Sequence, residues 1–164
     1  MKKNEIRTVR HEFEPVYGAH SRVLILGSFP SVKSREEGFY YGNPQNRFWK
    51  VLSGLYGDKL PGSVGEKKVL LERHGIALWD VIAECDIAGS SDSSIRNVKP
   101  ADLALILSSC SIRRIYTNGR TAGKLYAAYQ QPLTGIPSVT LPSTSPANAA
   151  WNYERLLEAW HKIL

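Results

Sequence analysis

Residues 22–28, RVLILGS, form an unbroken apolar run closed by Gly and Ser. A run this short and uniformly apolar reads as a strand buried on both faces. Such a strand needs a covering layer above and below it, which excludes an open sheet with one solvated face. IALWDVI at 76–82, IRRIYTNG at 112–119 and PSVTLPS at 137–143 repeat the theme. Between them lie segments with helical periodicity. A helix is expected to start near Asn43, with Pro44 in its first turn. NRFWKVLSGLY then places Phe48, Val51, Leu52 and Leu55 on one face, and Gly57 stops it. EKKVLLERHG, closed by Gly75, KPADLALILSSC and RTAGKLYAAYQ are expected helices. ANAAWNYERLLEAWHKIL reads as a closing amphipathic helix with Leu156, Leu157, Trp160 and Leu164 on its face. Strands alternating with helices predict an α/β fold: three α/β/α layers around a central four-stranded parallel sheet.

The 164 residues suit one domain over 1–164, with the charged first twenty as an N-terminal extension packed on it. No run reaches membrane-spanning length, and MKKNEIRTVRHEFEP lacks the apolar core of a signal peptide. Cys85 and Cys110 are too few and too isolated for a cluster or zinc site, and read as buried thiols in a reducing cytoplasm. His11, His20, His74 and His161 fall in no metal-binding spacing, and His74 beside Gly75 reads as a helix C-terminal residue. The net charge of +6 favours a polyanionic partner but does not name one.

Ligands of parallel sheets sit outside the carboxyl ends of the strands. Those ends carry GSFPS at 27–31, TNGRT at 117–121 and LPSTSPANA at 141–149, while ECDIAGSSDSSIRN follows the second strand. GSFPS lacks the glycines of a dinucleotide loop and the Gly-Lys-Ser/Thr of a triphosphate loop. It reads as a tight turn, or as a lip whose N–H groups meet a carbonyl oxygen. LPSTSPANA is a plain loop or a stiff finger that grips phosphates and presses Pro into a duplex. In FYYGNPQNRFW, Phe48 and Trp49 are core residues, and one of Tyr40 and Tyr41 faces a cavity. Asn43 is a good N-cap, and Asn46 lies in the first turn, either solvated or addressing the edge of a flat ligand. Asp80 ends a buried strand as a structural acceptor or a site residue; Asp92 caps a helix or touches substrate.

Together these motifs resemble the uracil-DNA glycosylase superfamily, and within it the hypoxanthine-DNA (deoxyinosine) glycosylases. LILGSFPS resembles the family's first motif, FYYGNPQNRFWKVL its aromatic–Asn–helix segment, and LPSTSPANA with the helix after it the second motif. ALWDVI and GSSDSSI are also similar to family segments, so the likeness runs from about Ser21 onward. It implies a uracil-DNA glycosylase-like fold and a monofunctional glycosylase that extrudes a deaminated base and hydrolyses its N-glycosidic bond. Hypoxanthine is the first expectation, with uracil or mismatch activity as the alternative. The resemblance assigns Asn46 and then Asn43 to catalysis, and Gly27, Ser28, Phe29, Tyr41 and Asp80 to the base. It assigns Ser31, Arg120, Lys124, Ser143, Thr144, Ser145, Pro146, Ala147 and Asn148 to DNA. No metal or cofactor is expected, and the partner is damaged DNA met by a monomer.

Two departures bear on mechanism. Mismatch-specific uracil relatives carry Asn, and others Asp, where this chain has Phe29; that side chain positions or activates water. The family often carries His at the position of Asn43. With no carboxylate in the first motif, stabilisation of the leaving base is expected to dominate over activation of water. Two rival classes fit parts of the pattern: a non-catalytic DNA-binding module on this fold, and a hydrolase of free nucleosides, which has no use for the PSTSPAN finger.

Overall fold

The computed structural model describes residues 5–164. Strands β2 (Val23–Gly27), β3 (Ile76–Asp80), β6 (Arg114–Asn118) and β7 (Ser138–Leu141) form one sheet in the order β3-β2-β6-β7. All its pairings are parallel. The apolar run that opened the sequence is therefore a central strand, flanked by β3 and β6. Its side chains alternate: Ile25 joins one core, while Leu24 and Leu26 join the other.

The core on the Ile25 side is covered by α2 (Phe48–Tyr56), α3 (Val64–Arg73) and α7 (Tyr153–Trp160), through Val51, Leu52, Leu70, Leu71, Leu156 and Trp160. The other core is covered by α4 (Ala104–Leu107), α5 (Arg120–Tyr129) and a second sheet that the hydrophobic pattern does not announce. This sheet is antiparallel, three-stranded and ordered β1-β4-β5, from β1 (Ile6–Arg10), β4 (Ile82–Ala88) and β5 (Arg96–Pro100). The short helices α1 (Val32–Glu37) and α6 (Gln131–Thr134) complete the elements used below.

Several expectations are corrected. IALWDVI is not one strand. The chain leaves the parallel sheet at Val81 and enters the antiparallel one at Ile82. Gln130 fixes this bend by donating from its buried amide to the carbonyls of Val81 (2.9 Å) and Ala101 (2.8 Å). Much of the expected loop after it is strand β4, whose irregular register against β5 spoils a clean alternation. KPADLALILSSC yields only the four-residue α4, because Lys99 and Pro100 belong to β5. The helix expected from Asn43 starts at Phe48. The closing helix starts at Tyr153, and Leu164 is exposed rather than on its buried face. Among the described residues, no helix is long and apolar enough to cross a membrane.

Candidate active site

At the carboxyl end of the parallel sheet, a cavity of about 190 Å³ is bounded by Gly27–Ser31, Tyr40, Tyr41, Asn43, Asn46, Asp80, Asp92, Asn118 and Ser143–Pro146. Drug-sized sites run to roughly 300–1,000 Å³, so this one is scaled to a single small heterocycle. It gathers Gly27, Ser28, Phe29, Ser31, Tyr41, Asn43, Asn46, Asp80, Ser143, Thr144, Ser145 and Pro146 from the sequence reading. Ala147, Asn148, Arg120 and Lys124 lie outside its lining.

Asn46 is held through its side-chain oxygen by one backbone N–H and one hydroxyl. The N–H of Phe48 points at Asn46 Oδ1 (3.0 Å), so the atom there must be the oxygen. The N–H of Thr144 points at Asn118 Oδ1 (3.0 Å), which turns the Asn118 amide nitrogen onto Thr144 Oγ1 (3.0 Å). Thr144 must then spend its own proton on Asn46 Oδ1 (2.8 Å). The relay Asn118–Thr144–Asn46 leaves Asn46 Nδ2 as the group facing the cavity, a pure donor. Thr144 is fully buried with its hydroxyl engaged on both sides. The expectation that it grips a phosphate is corrected: it orients Asn46 instead.

Asn43 does not cap α2. Its Oδ1 accepts from Gln45 N (2.9 Å), which closes a local turn ahead of the helix. Ser31 caps α1 by accepting from Ser34 N (3.1 Å) and donates to Ser34 Oγ (3.1 Å), so its hydroxyl is also in use. The Ser143 and Ser145 oxygens accept from Ser145 N and Ala147 N at 3.1 Å each, which leaves their protons available. Asn148 braces the loop by donating to Ser143 O (2.9 Å).

The sequence reading missed Arg47. Its guanidinium donates to the carbonyls of Thr144, Ser145 (2.9 Å), Asn148 (3.2 Å) and Trp151, clamping the finger to the start of α2. Gly119 (φ 96°) admits the same finger, since a Cβ there would stand 3.1 Å from Ser143 Cβ.

Tyr41 adopts the left-handed region at φ 53°, a conformation that costs a non-Gly residue about 1–3 kcal/mol. Two contacts hold it: Gly42 N donates to Ser34 Oγ (3.0 Å), and the ring stacks on Phe48 at 4.1 Å and 21°. Its hydroxyl is buried, and among the described residues only the Asn118 side chain acts on it as a hydrogen-bonding group, without good geometry. Burial, and then the charge of Asp80, raise the Tyr41 pKa far above the ordinary phenol value, against a weaker opposing influence of Asn118. The phenol therefore keeps its proton.

Asp80 is 3% exposed, and its Oδ2 pairs with His11 Nε2 at 2.8 Å. His11 follows β1, 69 residues away, so no local spacing could have revealed it. At the rim Asp92 accepts from Ser28 Oγ (3.1 Å). It is solvent-exposed as a residue, yet burial raises its carboxyl pKa, the Ser28 bond opposes this, and the charge of Asp80 adds to it. The Phe29 ring packs in the core between the sheets, with His11 and the Arg35 guanidinium against it. Among the described residues, no group of three or more His, Cys, Asp or Glu is placed to hold a metal ion.

The site can thus hold a flat, polar-edged group among fixed donors and acceptors. Hypoxanthine DNA glycosylase of Methanosarcina acetivorans is 35% identical over 159 residues, covering 94% of this chain and 98% of the relative. Its Methanosarcina barkeri namesake is 29% identical over 138 residues, covering 83% and 86%. A solution NMR structure of an M. acetivorans protein proposed to be a uracil DNA glycosylase superposes with a TM-score of 0.76 at 33% identity, covering 92% and 93% of the two chains. The model of the uracil DNA glycosylase superfamily matches residues 14–164, and to that superfamily this chain belongs.

Proposed function

We propose that this DNA glycosylase extrudes hypoxanthine from duplex DNA and releases it by hydrolysis, leaving an abasic site. The observation that carries this reading is the orientation of Asn46. Its Nδ2 faces the cavity because Phe48 N and Thr144 Oγ1 hold its oxygen. When the bond from the sugar C1′ to the base breaks, the electron pair leaves on the base. A fixed donor aimed at that charge typically contributes about 3–4 kcal/mol. The Phe29 backbone N–H, which donates to no group among the described residues, is a second candidate donor. Phe48 covers one face of Tyr41, which leaves the other for the base, where stacking contributes about 1–3 kcal/mol.

Water then adds its hydroxide to C1′, and its proton goes to a base or to solvent. Phe29 cannot take that proton. Asp92, tied to Ser28 beside it, is the carboxylate at the cavity mouth where the sugar would stand. Ser143 and Ser145 retain protons for phosphate oxygens, and Pro146 is exposed at the finger tip to fill the gap left by the base. Arg120 and Lys124, exposed on α5, add phosphate contacts.

A panel of duplexes, each with a single hypoxanthine, uracil, xanthine or mismatched thymine, tests the reading. Alkali-labile sites should form fastest at hypoxanthine. Binding without release from any duplex would favour the non-catalytic module, and preference for uracil would favour the alternative substrate.

A further inference from the structure

The floor of the cavity holds a carboxylate oxygen that the catalytic reading does not use. A Cβ on Gly27 would lie 2.4 Å from Asp80 Oδ1 and 3.1 Å from the Tyr41 hydroxyl, so both oxygens close on one point and only Gly fits there. The Tyr41 hydroxyl is sealed from the cavity. Asp80 Oδ1 accepts no hydrogen bond among the described residues and, unlike that hydroxyl, is not sealed, so it opens to the cavity. The other Asp80 oxygen is held by His11, whose side chain is 3% exposed.

A carboxylate only accepts, so His11 Nε2 must carry the proton of the 2.8 Å bond. The ring packs against Phe13 at 4.5 Å and Tyr40 at 5.9 Å. Tyr40 is itself tied to Glu14 O at 2.8 Å. His11 thus determines which Asp80 oxygen faces the ligand.

From this geometry we infer that the open Asp80 oxygen is the acceptor that selects a base edge presenting a ring N–H, with His11 as its positioning residue. Deamination creates that edge. In adenine N1 is an acceptor and the 6-amino group a donor; in hypoxanthine N1 carries hydrogen and the 6-oxo group accepts. A fixed carboxylate rewards the first change and repels the N1 lone pair of adenine. Guanine shares this edge and differs by its 2-amino group; it is also normally paired, which resists extrusion.

This inference rests on the glycosylase reading and deepens it. It is tested with duplexes containing hypoxanthine or unsubstituted purine, whose N1 is an acceptor and which has no 6-oxo group. Wild-type protein should release hypoxanthine far faster. In Asp80→Asn, His11 will claim the amide oxygen and turn the NH2 into the cavity. The ratio of hypoxanthine to purine release should then fall on the order of 100-fold, the range of a lost specific base contact. Taking the ratio cancels the intrinsic lability of each base and any loss of folded protein. His11→Leu should lower the ratio, and His11→Gln, which still offers an N–H, should restore it. The same ratio in wild type and Asp80→Asn, with hypoxanthine release intact, overturns the inference. No preference in wild type overturns it without recourse to variants. No release from any duplex overturns the glycosylase reading and this inference with it.

Discussion

The parallel sheet brings Gly27, Asp80 and Asn118 to the cavity from the carboxyl ends of three strands. The antiparallel sheet brings different material: His11 from just beyond β1, and Asp92 from the connection between β4 and β5. The groups from the parallel sheet touch the cavity directly. Of those from the antiparallel sheet, His11 acts from behind Asp80, while Asp92 itself lines the cavity beside Ser28. One sheet supplies most of the strand-end groups of the pocket, and the other adds a carboxylate to its wall and positions a second.

The sharpest way to break this division is Phe29→Asn, which puts an amide in place of the buried ring. Because Phe29 is 8% exposed in the core between the sheets, the variant should lose about 3 kcal/mol of stability and gain no rate. Thermal unfolding and single-turnover cleavage read both quantities; a faster enzyme would show that the side chain reaches the cavity after all.

Thr144→Val probes the parallel-sheet side. It removes the donor to Asn46 Oδ1 and the acceptor for Asn118. Single-turnover cleavage should slow on the order of 100-fold, with a buried amide left unsatisfied. An unchanged rate would mean that the relay does not orient Asn46.

Asp92→Asn probes the antiparallel side. At neutral pH the rate should drop about tenfold, within the low end of general-base contributions. In the wild type it should fall further as pH drops through the raised Asp92 value, because a protonated carboxyl cannot take the proton of water. The variant should lose this acid limb in a rate–pH profile. Stability runs the other way. A carboxyl with a raised folded-state pKa binds its proton more tightly when folded, so the wild type gains stability as pH falls from that raised value towards the ordinary 3.8. The Asn variant should lack this gain in melts across that range.

The smallest effect is expected at Arg120→Ala, outside the cavity lining. Binding should weaken a few-fold for all duplexes, with the salt dependence shallower by about one unit. A change in base preference would contradict a pure phosphate role.

The same division explains what was legible in the sequence. β2, β6, β7 and α5 announce themselves through short apolar runs and helical periodicity, and the rule for parallel sheets then places 27–31 and 141–149 at one site. Within FYYGNPQNRFW, Phe48 packs in the core and Asn46 lines the cavity. The antiparallel sheet was illegible for physical reasons. β1 is short, charged and largely exposed, β4 has an irregular register, and the turn between β4 and β5 has the composition of a loop. His11 carries no spacing signal, because its partner is brought to it only by the pairing of β1 with β4. Thr144 reads as a surface hydroxyl until Asn118 and Asn46 are seen on either side of it.

The most direct test of the account is single-turnover cleavage of a duplex with one hypoxanthine by wild type and Asn46→Ala, with affinity for the same duplex measured alongside. Loss of one aimed donor should slow base release about 1,000-fold, while affinity stays near that of the wild type. Equal rates in the two proteins would contradict the assignment of catalysis to Asn46, and an intact duplex after wild-type treatment would contradict the proposed activity itself.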